Sequence, residues 1–227
     1  MKKALVFIEV RENQIKRSSV EALSAALRFK GTAYSTVDAV LFAAAQPDIS
    51  QFTKVSPDTL TCYINSSFSL YSPSAYKKEI SALMTEGGYD VLFSSNTAMG
   101  RDLAPRIAAA VNCGLAMDLT ELKWESDNFV ATRPVFAGKA LEDLKITSEK
   151  KVFTLRPNVF AVSESGENKA PEVKTVNVDS PDLSVAGTAV KKAAGKLDVA
   201  EANIIVSGGR GMKGPENYHL IESLAEV

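Results

Sequence analysis

A glycine-rich run near the end of the chain has the composition of a phosphate-binding turn. Residues 208–214 read GGRGMKG; they follow an apolar segment, residues 203–207, and precede Pro215. We predict a buried strand over residues 203–207 and a helix opened by Pro215, with one apolar face formed by Leu220, Ile221, Leu224 and Ala225. A strand, a glycine turn and a helix in this order can direct backbone N–H groups at a phosphate.

The spacing of these glycines matches neither of two common phosphate-binding fingerprints. They do not fall in a GxGxxG pattern, and Lys213 is followed by Gly214 where a P-loop has Ser or Thr. A plain strand-to-helix turn therefore stays open beside a phosphate cradle. Arg210 favours the cradle, because a guanidinium between Gly209 and Gly211 can bond a phosphate through two N–H groups with little steric hindrance.

The other reactive side chains predict no catalytic centre. His219 is the single histidine, and with no second ligand or base near it we expect a surface or partly packed side chain rather than a metal ligand or a triad member. Cys62 and Cys113 lie in apolar surroundings without metal-ligand spacing. They are predicted to be reduced core thiols, which fits a reducing compartment.

Four charged residues are further candidates for a functional role. Arg101 and Asp102 follow the core strand predicted over residues 89–94, at the end of a sheet where ligands usually bind, but we prefer helix capping by Asp102. Arg133 and Arg156 each precede a proline in a region of short strands, where a subunit interface is one use. Trp124 is predicted to precede an ordinary hairpin turn.

Length and composition describe an ordinary globular chain, long enough for one sizeable domain or for one domain with an appendage. It has 227 residues, of which 45% are hydrophobic and 23% charged, and its net charge is −1. The small charge predicts neither nucleic acid nor an anionic membrane as a partner. Residues 1–12 read as a first strand rather than a secretory signal, and no apolar stretch approaches the roughly 20 residues of a membrane helix, so a cytoplasmic protein is expected.

Alternating apolar strands and helices predict a parallel sheet with helices on both faces. Strands are expected over residues 3–10, 38–45, 60–64 and 89–94, and helices follow the first, third and fourth of them. The first helix is expected to be capped by Ser18 or Ser19. The last is expected to begin after Asp102, with Pro105 in its first turn, where a missing N–H needs no partner.

Beyond Asp118 the pattern changes to short strands. Residues 129–164 predict an antiparallel extension of the sheet, residues 173–187 a further strand, and residues 186–196 a surface helix or linker. The predicted fold class is α/β: a mostly parallel sheet flanked by helices, with an antiparallel extension. One domain is expected over residues 1–197, and the first strand, loop and helix of a truncated second α/β domain over residues 198–227.

Several segments resemble one protein family. Residues 207–227, SGGRGMKGPENYHLIESLAEV, resemble the opening of the flavin domain of the electron transfer flavoprotein alpha subunit. Residues 100–122 and 132–140 are similar to the N-terminal domain of that subunit, as is the start ALVFIEV. The matches extend from the first strand to the last residue, and the terminal motif and the GRDLAPR segment are specific.

The resemblance implies a Rossmann-like, adenine-nucleotide-hydrolase-like scaffold domain that binds a beta subunit, followed by the start of an FAD domain. Arg210 matches the arginine of the family's SGGRG motif, so Gly209, Arg210 and Gly211 are expected to bind the cofactor. Most of the FAD site is expected beyond Val227, in a longer protein of which this chain is a piece. AMP is expected on the partner beta subunit and not on this chain.

The leading hypothesis is an electron-carrier subunit rather than a catalyst. By resemblance, it takes electrons from flavin dehydrogenases and passes them through FAD to an acceptor such as a quinone oxidoreductase, without being embedded in the membrane. Two alternatives stay open: a free-standing α/β protein that binds ATP or AMP at residues 208–214, and a purely structural heterodimerisation module.

Overall fold

The chain folds as two units, Met1–Ala189 and Val190–Val227. A computed structural model describes residues 2–163, 169–190, 202 and 204–227. The strands of the first unit are β1 (Lys3–Ile8), β2 (Val10–Arg11), β3 (Gln14–Ile15), β4 (Thr36–Ala43), β5 (Thr59–Ile64), β6 (Val91–Ser95), β7 (Gly114–Leu119), β8 (Glu121–Glu125), β9 (Asn128–Val135), β10 (Ala140–Leu144), β11 (Lys151–Leu155) and β12 (Glu172–Asn177). Its helices are α1 (Arg17–Leu27), α2 (Pro73–Glu86) and α3 (Ala98–Ala110), with short 3-10 turns at Ser50–Thr53 and Ser66–Ser69.

Seven of these strands form one sheet in the order β12-β5-β4-β1-β6-β11-β7, and all neighbours run parallel. The chain begins at the central strand β1, builds outward through β4 and β5, then crosses back to β6 and builds toward the other edge. This reversal places the topological switch point between the carboxyl ends of β1 and β6. The predicted parallel sheet flanked by helices is confirmed.

Different layers cover the two faces of the sheet. Leu5 and Phe7 of β1 pack with Tyr76 in the cluster beneath α2 and α3. Val6 and Ile8, which alternate with them along the strand, belong to the opposite cluster, covered by α1 and the antiparallel strands. Right-handed crossovers require this arrangement, because the chain moves in opposite directions from β1 to β4 and from β5 to β6.

The predicted antiparallel extension forms a separate three-stranded sheet in the order β10-β9-β8. It continues from edge strand β7, and the Thr120 N–H donates to the Thr132 carbonyl at 2.9 Å where the chain leaves that strand. Ser126 and Asp127, both with positive φ, form the tight turn between β8 and β9. This turn is the hairpin predicted after Trp124.

Strand β11 differs from the expectation for residues 129–164. It pairs parallel with both β6 and β7 inside the main sheet, rather than antiparallel. All five of its residues are buried, as expected of a strand covered on both faces. The apolar run VFTL therefore carried the signal of an inner parallel strand.

Helix α3 begins earlier than predicted, and Asp102 is not its cap. Thr97 is the N-cap residue: its Oγ1 accepts a hydrogen bond from the Gly100 N–H at 3.1 Å. Pro105 consequently lies inside the helix rather than in its first turn. Both Thr and Asp are good N-caps, and Gly100 decides between them. A Cβ at Gly100 would lie 1.9 Å from the Ser95 carbonyl oxygen, so the first turn of the helix packs directly on the end of β6.

Helix α1 also begins before its predicted caps. Lys16 is the N-cap residue and makes no side-chain capping bond. Ser19 lies within the helix, where its Oγ accepts a hydrogen bond from the Glu9 N–H at 2.8 Å. Ser19 therefore binds the backbone that follows β1, and it does not cap the helix as predicted.

The second unit contains 3-10 turns at Arg210–Met212 and Pro215–Asn217 and a short helix, α4 (His219–Ala225). The strand predicted over residues 203–207 is wrong for its described part, since residues 204–207 have no strand pairing and Ile204 is 85% exposed. A strand needs a hydrogen-bonding neighbour, and the described residues of this unit supply none. The predicted helix starts at His219 rather than at Pro215, and Leu220 and Leu224 are exposed.

Two expectations fall outside the described residues. These are the domain boundary at residue 197 and most of the surface helix or linker over residues 186–196; residues 186–190 form no helix. Along the described ranges, no helix has the length and apolar character needed to cross a bilayer.

Candidate cofactor-binding loop

Four consecutive backbone N–H groups in the glycine run donate no hydrogen bond to the described part of the chain. They belong to Gly208, Gly209, Arg210 and Gly211. The three N–H groups that follow, those of residues 212–214, close bonds within the loop with N···O distances of 2.8 to 3.1 Å. Successive unpaired N–H groups are the donors that bind anions.

Two of the glycines leave space at the surface of the loop. A Cβ added to Gly209 or Gly211 would have no heavy atom of the described chain within 4 Å. Neither residue has a positive φ, so the backbone conformation does not require glycine at these positions. The absence of side chains there leaves room for an external group to approach the backbone. Gly208 differs, because a Cβ on it would lie 2.7 Å from Met212 Cγ.

The side chains of the loop make it positively charged. Arg210 and Lys213 are exposed, and neither forms an ion pair or side-chain hydrogen bond with the described residues. One carboxylate lies at the end of the loop, since a Cβ added to Gly214 would be 2.3 Å from Glu216 Oε2. The set of N–H, guanidinium and ammonium donors suits a phosphate. The residues present therefore fit the phosphate-bearing part of a flavin dinucleotide.

Residues after the loop hold its shape. Asn217 Nδ2 donates to the Met212 carbonyl at 2.8 Å, and the Tyr218 hydroxyl donates to the Gly208 carbonyl at 3.4 Å. His219 is exposed, with Nδ1 2.8 Å from the Glu216 carbonyl oxygen. This is the surface position predicted for the single histidine.

The sequence reasoning missed a polar network at the carboxyl ends of β6, β7 and β11. Arg156 donates to Asp118 through Nε at 2.9 Å and Nη2 at 2.6 Å. Asn96 Nδ2 donates to Asp118 Oδ1 at 2.9 Å, and Thr154 Oγ1 donates to Asn96 Oδ1 at 2.9 Å. The Arg156 hydrogen bonds lower the pKa of Asp118. Polar residues that follow parallel strands were the sequence signal that could have found this network. Its charged groups are paired with one another, so it is not a candidate ligand site.

The other predicted charged positions are dispersed. Asp102 pairs with Arg106 at 2.9 Å and accepts a hydrogen bond from the Tyr71 hydroxyl at 2.8 Å; the bond from Arg106 is the largest influence lowering its pKa. Arg101 is exposed on α3. Arg133 pairs with Glu142 across the β9–β10 hairpin at 2.7 Å. Of these side chains, Arg101 is the one that acts on the Arg156 network, because its charge also lowers the pKa of Asp118.

Neither metal ligation nor thiol chemistry is evident in the described ranges. They contain no group of three His, Cys, Asp or Glu side chains that could hold a metal ion. Cys62 is buried and Cys113 half-buried, and both are free thiols. Burial raises the pKa of each thiol, which keeps it protonated and unreactive at neutral pH.

The doubly wound parallel sheet and the donor-rich loop define the class of protein. It is an α/β protein with a doubly wound, Rossmann-like parallel sheet, and its candidate phosphate contacts lie in the second unit.

Comparison with known proteins gives the family. The family profile described as "Electron transfer flavoprotein domain" matches residues 4–181. "Electron transfer flavoprotein subunit alpha" of Bacillus subtilis (strain 168) is 29% identical over 227 residues, covering 100% of this chain and 70% of the relative. "Protein FixB" of Clostridium saccharobutylicum is 33% identical, covering 98% of this chain and 68% of the relative.

A third relative, "Electron transfer flavoprotein subunit alpha" of Syntrophomonas wolfei, is 30% identical over 98% of this chain and 69% of its own length. The chain belongs to the electron transfer flavoprotein family. The resemblance drawn from residues 100–122, 132–140 and 207–227 is thereby confirmed.

Proposed function

We propose that this chain is the alpha subunit of a heterodimeric electron transfer flavoprotein that carries electrons on FAD. It receives them from flavin dehydrogenases and passes them to an acceptor such as a quinone oxidoreductase, acting as a carrier rather than a catalyst. Family membership and the names of the similar proteins support this role. The free thiols Cys62 and Cys113 support a reducing compartment such as the cytoplasm.

One observation carries the cofactor part of the proposal: the four consecutive N–H groups of residues 208–211 donate no hydrogen bond within the described part of the chain. In this role the N–H groups of Gly209, Arg210 and Gly211 bond phosphate oxygens of FAD. The Arg210 guanidinium offsets the phosphate charge, and the open faces of Gly209 and Gly211 admit the cofactor to the backbone. When bound, FAD supplies reversible uptake and release of electrons.

The first unit, Met1–Ala189, serves as the scaffold that binds a beta subunit. AMP belongs on that beta subunit and not on this chain. Family membership disfavours the alternative of a free-standing protein that uses the same loop for ATP or AMP. The unpaired donors of the loop argue against a purely structural heterodimerisation module, which would have no use for them.

Coexpression with a beta subunit tests the proposal, with FAD and AMP measured per dimer. We expect bound flavin, and we expect Arg210→Ala to weaken FAD binding roughly tenfold or more, because it removes a charge-assisted hydrogen bond. The matched control is Arg101→Ala, an exposed arginine on α3, which should leave the flavin content unchanged.

The outcomes separate the function from the site. Equal flavin content in the two variants would reject Arg210 as a contact while leaving the carrier function intact. Flavin-free protein that ATP or AMP stabilises against heat would favour the free-standing nucleotide-binding protein. A tight dimer without response to either ligand would favour the structural module.

A further inference from the structure

The switch point between β1 and β6 is where a doubly wound sheet usually binds its ligand, and in this unit a side chain of the protein fills it. Glu9 follows the last residue of β1 and is 2% exposed. Alternation along the strand places it on the same face as Leu5 and Phe7. Two causes raise the pKa of Tyr76 on α2: the larger is burial of its hydroxyl, and the smaller is the nearby charge of Glu9. The carboxylate therefore lies at the carboxyl edge of the sheet, on the α2 side.

Thr97 links this carboxylate to the first turn of α3. Its Oγ1 donates to Glu9 Oε2 at 2.5 Å and accepts from the Gly100 N–H at 3.1 Å. The start of a helix carries a partial positive charge from its aligned peptide dipoles. Glu9 supplies the compensating negative charge at the place where a phosphate would otherwise do so.

Arg11 provides a second positive charge to the same carboxylate. Its Nε lies 2.6 Å from Glu9 Oε1, an ion pair whose geometry is not that of a hydrogen bond. The Glu9 backbone is also fixed: its N–H donates to Ser19 Oγ, and its carbonyl accepts from the Lys16 N–H at 3.0 Å. Glu9 is thus a held internal anion, with a cation on one side and a helix start on the other.

We propose that Glu9 determines ligand specificity at the switch point by excluding phosphate-bearing ligands from it. A phosphate placed there would meet a buried like charge. It would also find the positive charge of Arg11 and the start of α3 already compensated by Glu9. This inference concerns the first unit alone and does not depend on the FAD proposal.

Neutralising the carboxylate tests the proposal. Glu9→Gln keeps the size of the side chain and an oxygen that can accept the Thr97 bond, while removing the negative charge that is paired with Arg11. With the full chain at constant ionic strength, we expect it to bind inorganic phosphate and AMP at least tenfold more tightly than the wild type, measured by calorimetric titration. Glu125→Gln, the same charge change at an exposed position at the end of β8, should leave the wild-type affinity unchanged.

Three further measurements make the result decisive. Glu9→Asp retains the charge and should exclude phosphate like the wild type. Arg11→Ala added to Glu9→Gln should abolish the gain, which locates it at the switch point rather than at the glycine loop. A folded Glu9→Gln variant without any gain overturns the proposal. If that variant is unfolded in chloride, phosphate is titrated in: recovery of helical circular dichroism supports the proposal, and no recovery overturns it.

Discussion

Arg156 donates two hydrogen bonds to the Asp118 carboxylate, with Nε 2.9 Å from Oδ1 and Nη2 2.6 Å from Oδ2. Asp118 has a φ of 63°, in the left-handed region that Asp and Asn tolerate better than most residues. It lies where the register of β7 shifts against β11. The ion pair therefore stabilises the place where the register of edge strand β7 is irregular, just before the chain enters the antiparallel sheet.

Asp118→Asn should lower the free energy of unfolding at pH 7 by about 1 kcal/mol, because it weakens a partly exposed ion pair while preserving shape and tolerance of positive φ. Arg156 lowers the pKa of Asp118 below its ordinary value of 3.8. A depressed folded-state pKa stabilises the protein above pH 3.8, and this contribution is lost as the pH falls through the folded value. Urea unfolding of both proteins at pH 7 and pH 3 measures the difference, which should shrink at the lower pH.

Asp127→Asn is the matched control for this prediction. Asp127 also has a positive φ, 58°, but lies exposed in the β8–β9 turn. Its substitution should change stability by less than about 0.5 kcal/mol at either pH. A difference between wild type and Asp118→Asn that stays constant from pH 7 to pH 3 would show that the charge of Asp118 has no part in its effect.

Phe129→Ala should destabilise the first unit by roughly 3–5 kcal/mol, the usual range for a buried phenylalanine. Phe129 is 2% exposed, and its ring lies 5.2 Å from that of Phe29 and 5.4 Å from that of Phe153. Through this side chain the antiparallel sheet packs on one face of the main sheet and covers it, the role that a helix has on other parts of the sheet. Urea unfolding followed by circular dichroism provides the measurement.

Phe136→Ala tests whether the position rather than the residue type matters. Phe136 follows the same strand, β9, but is 80% exposed, so the same substitution should change the free energy of unfolding by about 0.5 kcal/mol or less. Equal destabilisation by the two variants would contradict the packing role assigned to β9.

The sequence was sufficient for features that local pattern encodes. Buried strands such as β4 and helix α2 follow directly from apolar runs and helical spacing, and a parallel sheet with helices on both faces follows from their alternation. The positions of caps were not readable, because Thr97 and Asp102 have the same local propensity and only the contact of Gly100 with Ser95 separates them. Non-local contacts decide such cases.

The candidate sites show the same division. The glycine run identified Gly209, Arg210 and Gly211 as candidates because composition and motif are local properties. Glu9 and Asp118 were missed, since each depends on partners far along the chain, Thr97 and Arg156 respectively. Likewise, apolar composition predicted a strand at residues 203–207, but pairing requires a neighbouring strand that composition does not reveal.

Gly100→Ala should destabilise the first unit by about 1–3 kcal/mol or more, although alanine normally favours helices over glycine. The added Cβ would lie 1.9 Å from the Ser95 carbonyl oxygen, a backbone atom that cannot rotate away. Thermal unfolding measures the loss. An unchanged or raised melting temperature would contradict the close approach of α3 to the end of β6.

Gly209→Ala should have the opposite profile: little effect on stability and a clear effect on the cofactor. Gly209 has φ −126° and ψ −153°, which alanine can adopt, and its Cβ would meet no described atom of the chain within 4 Å. In the dimer with a beta subunit, however, that Cβ would occupy the space proposed for FAD, so we expect flavin binding to weaken about tenfold or more at an unchanged melting temperature of the flavin-free protein. Fluorescence titration of the flavin-free dimer with FAD measures the affinity. Wild-type affinity in this variant would show that the cofactor does not approach the loop at Gly209, whereas a lowered melting temperature of the flavin-free form would show that the glycine serves the fold instead.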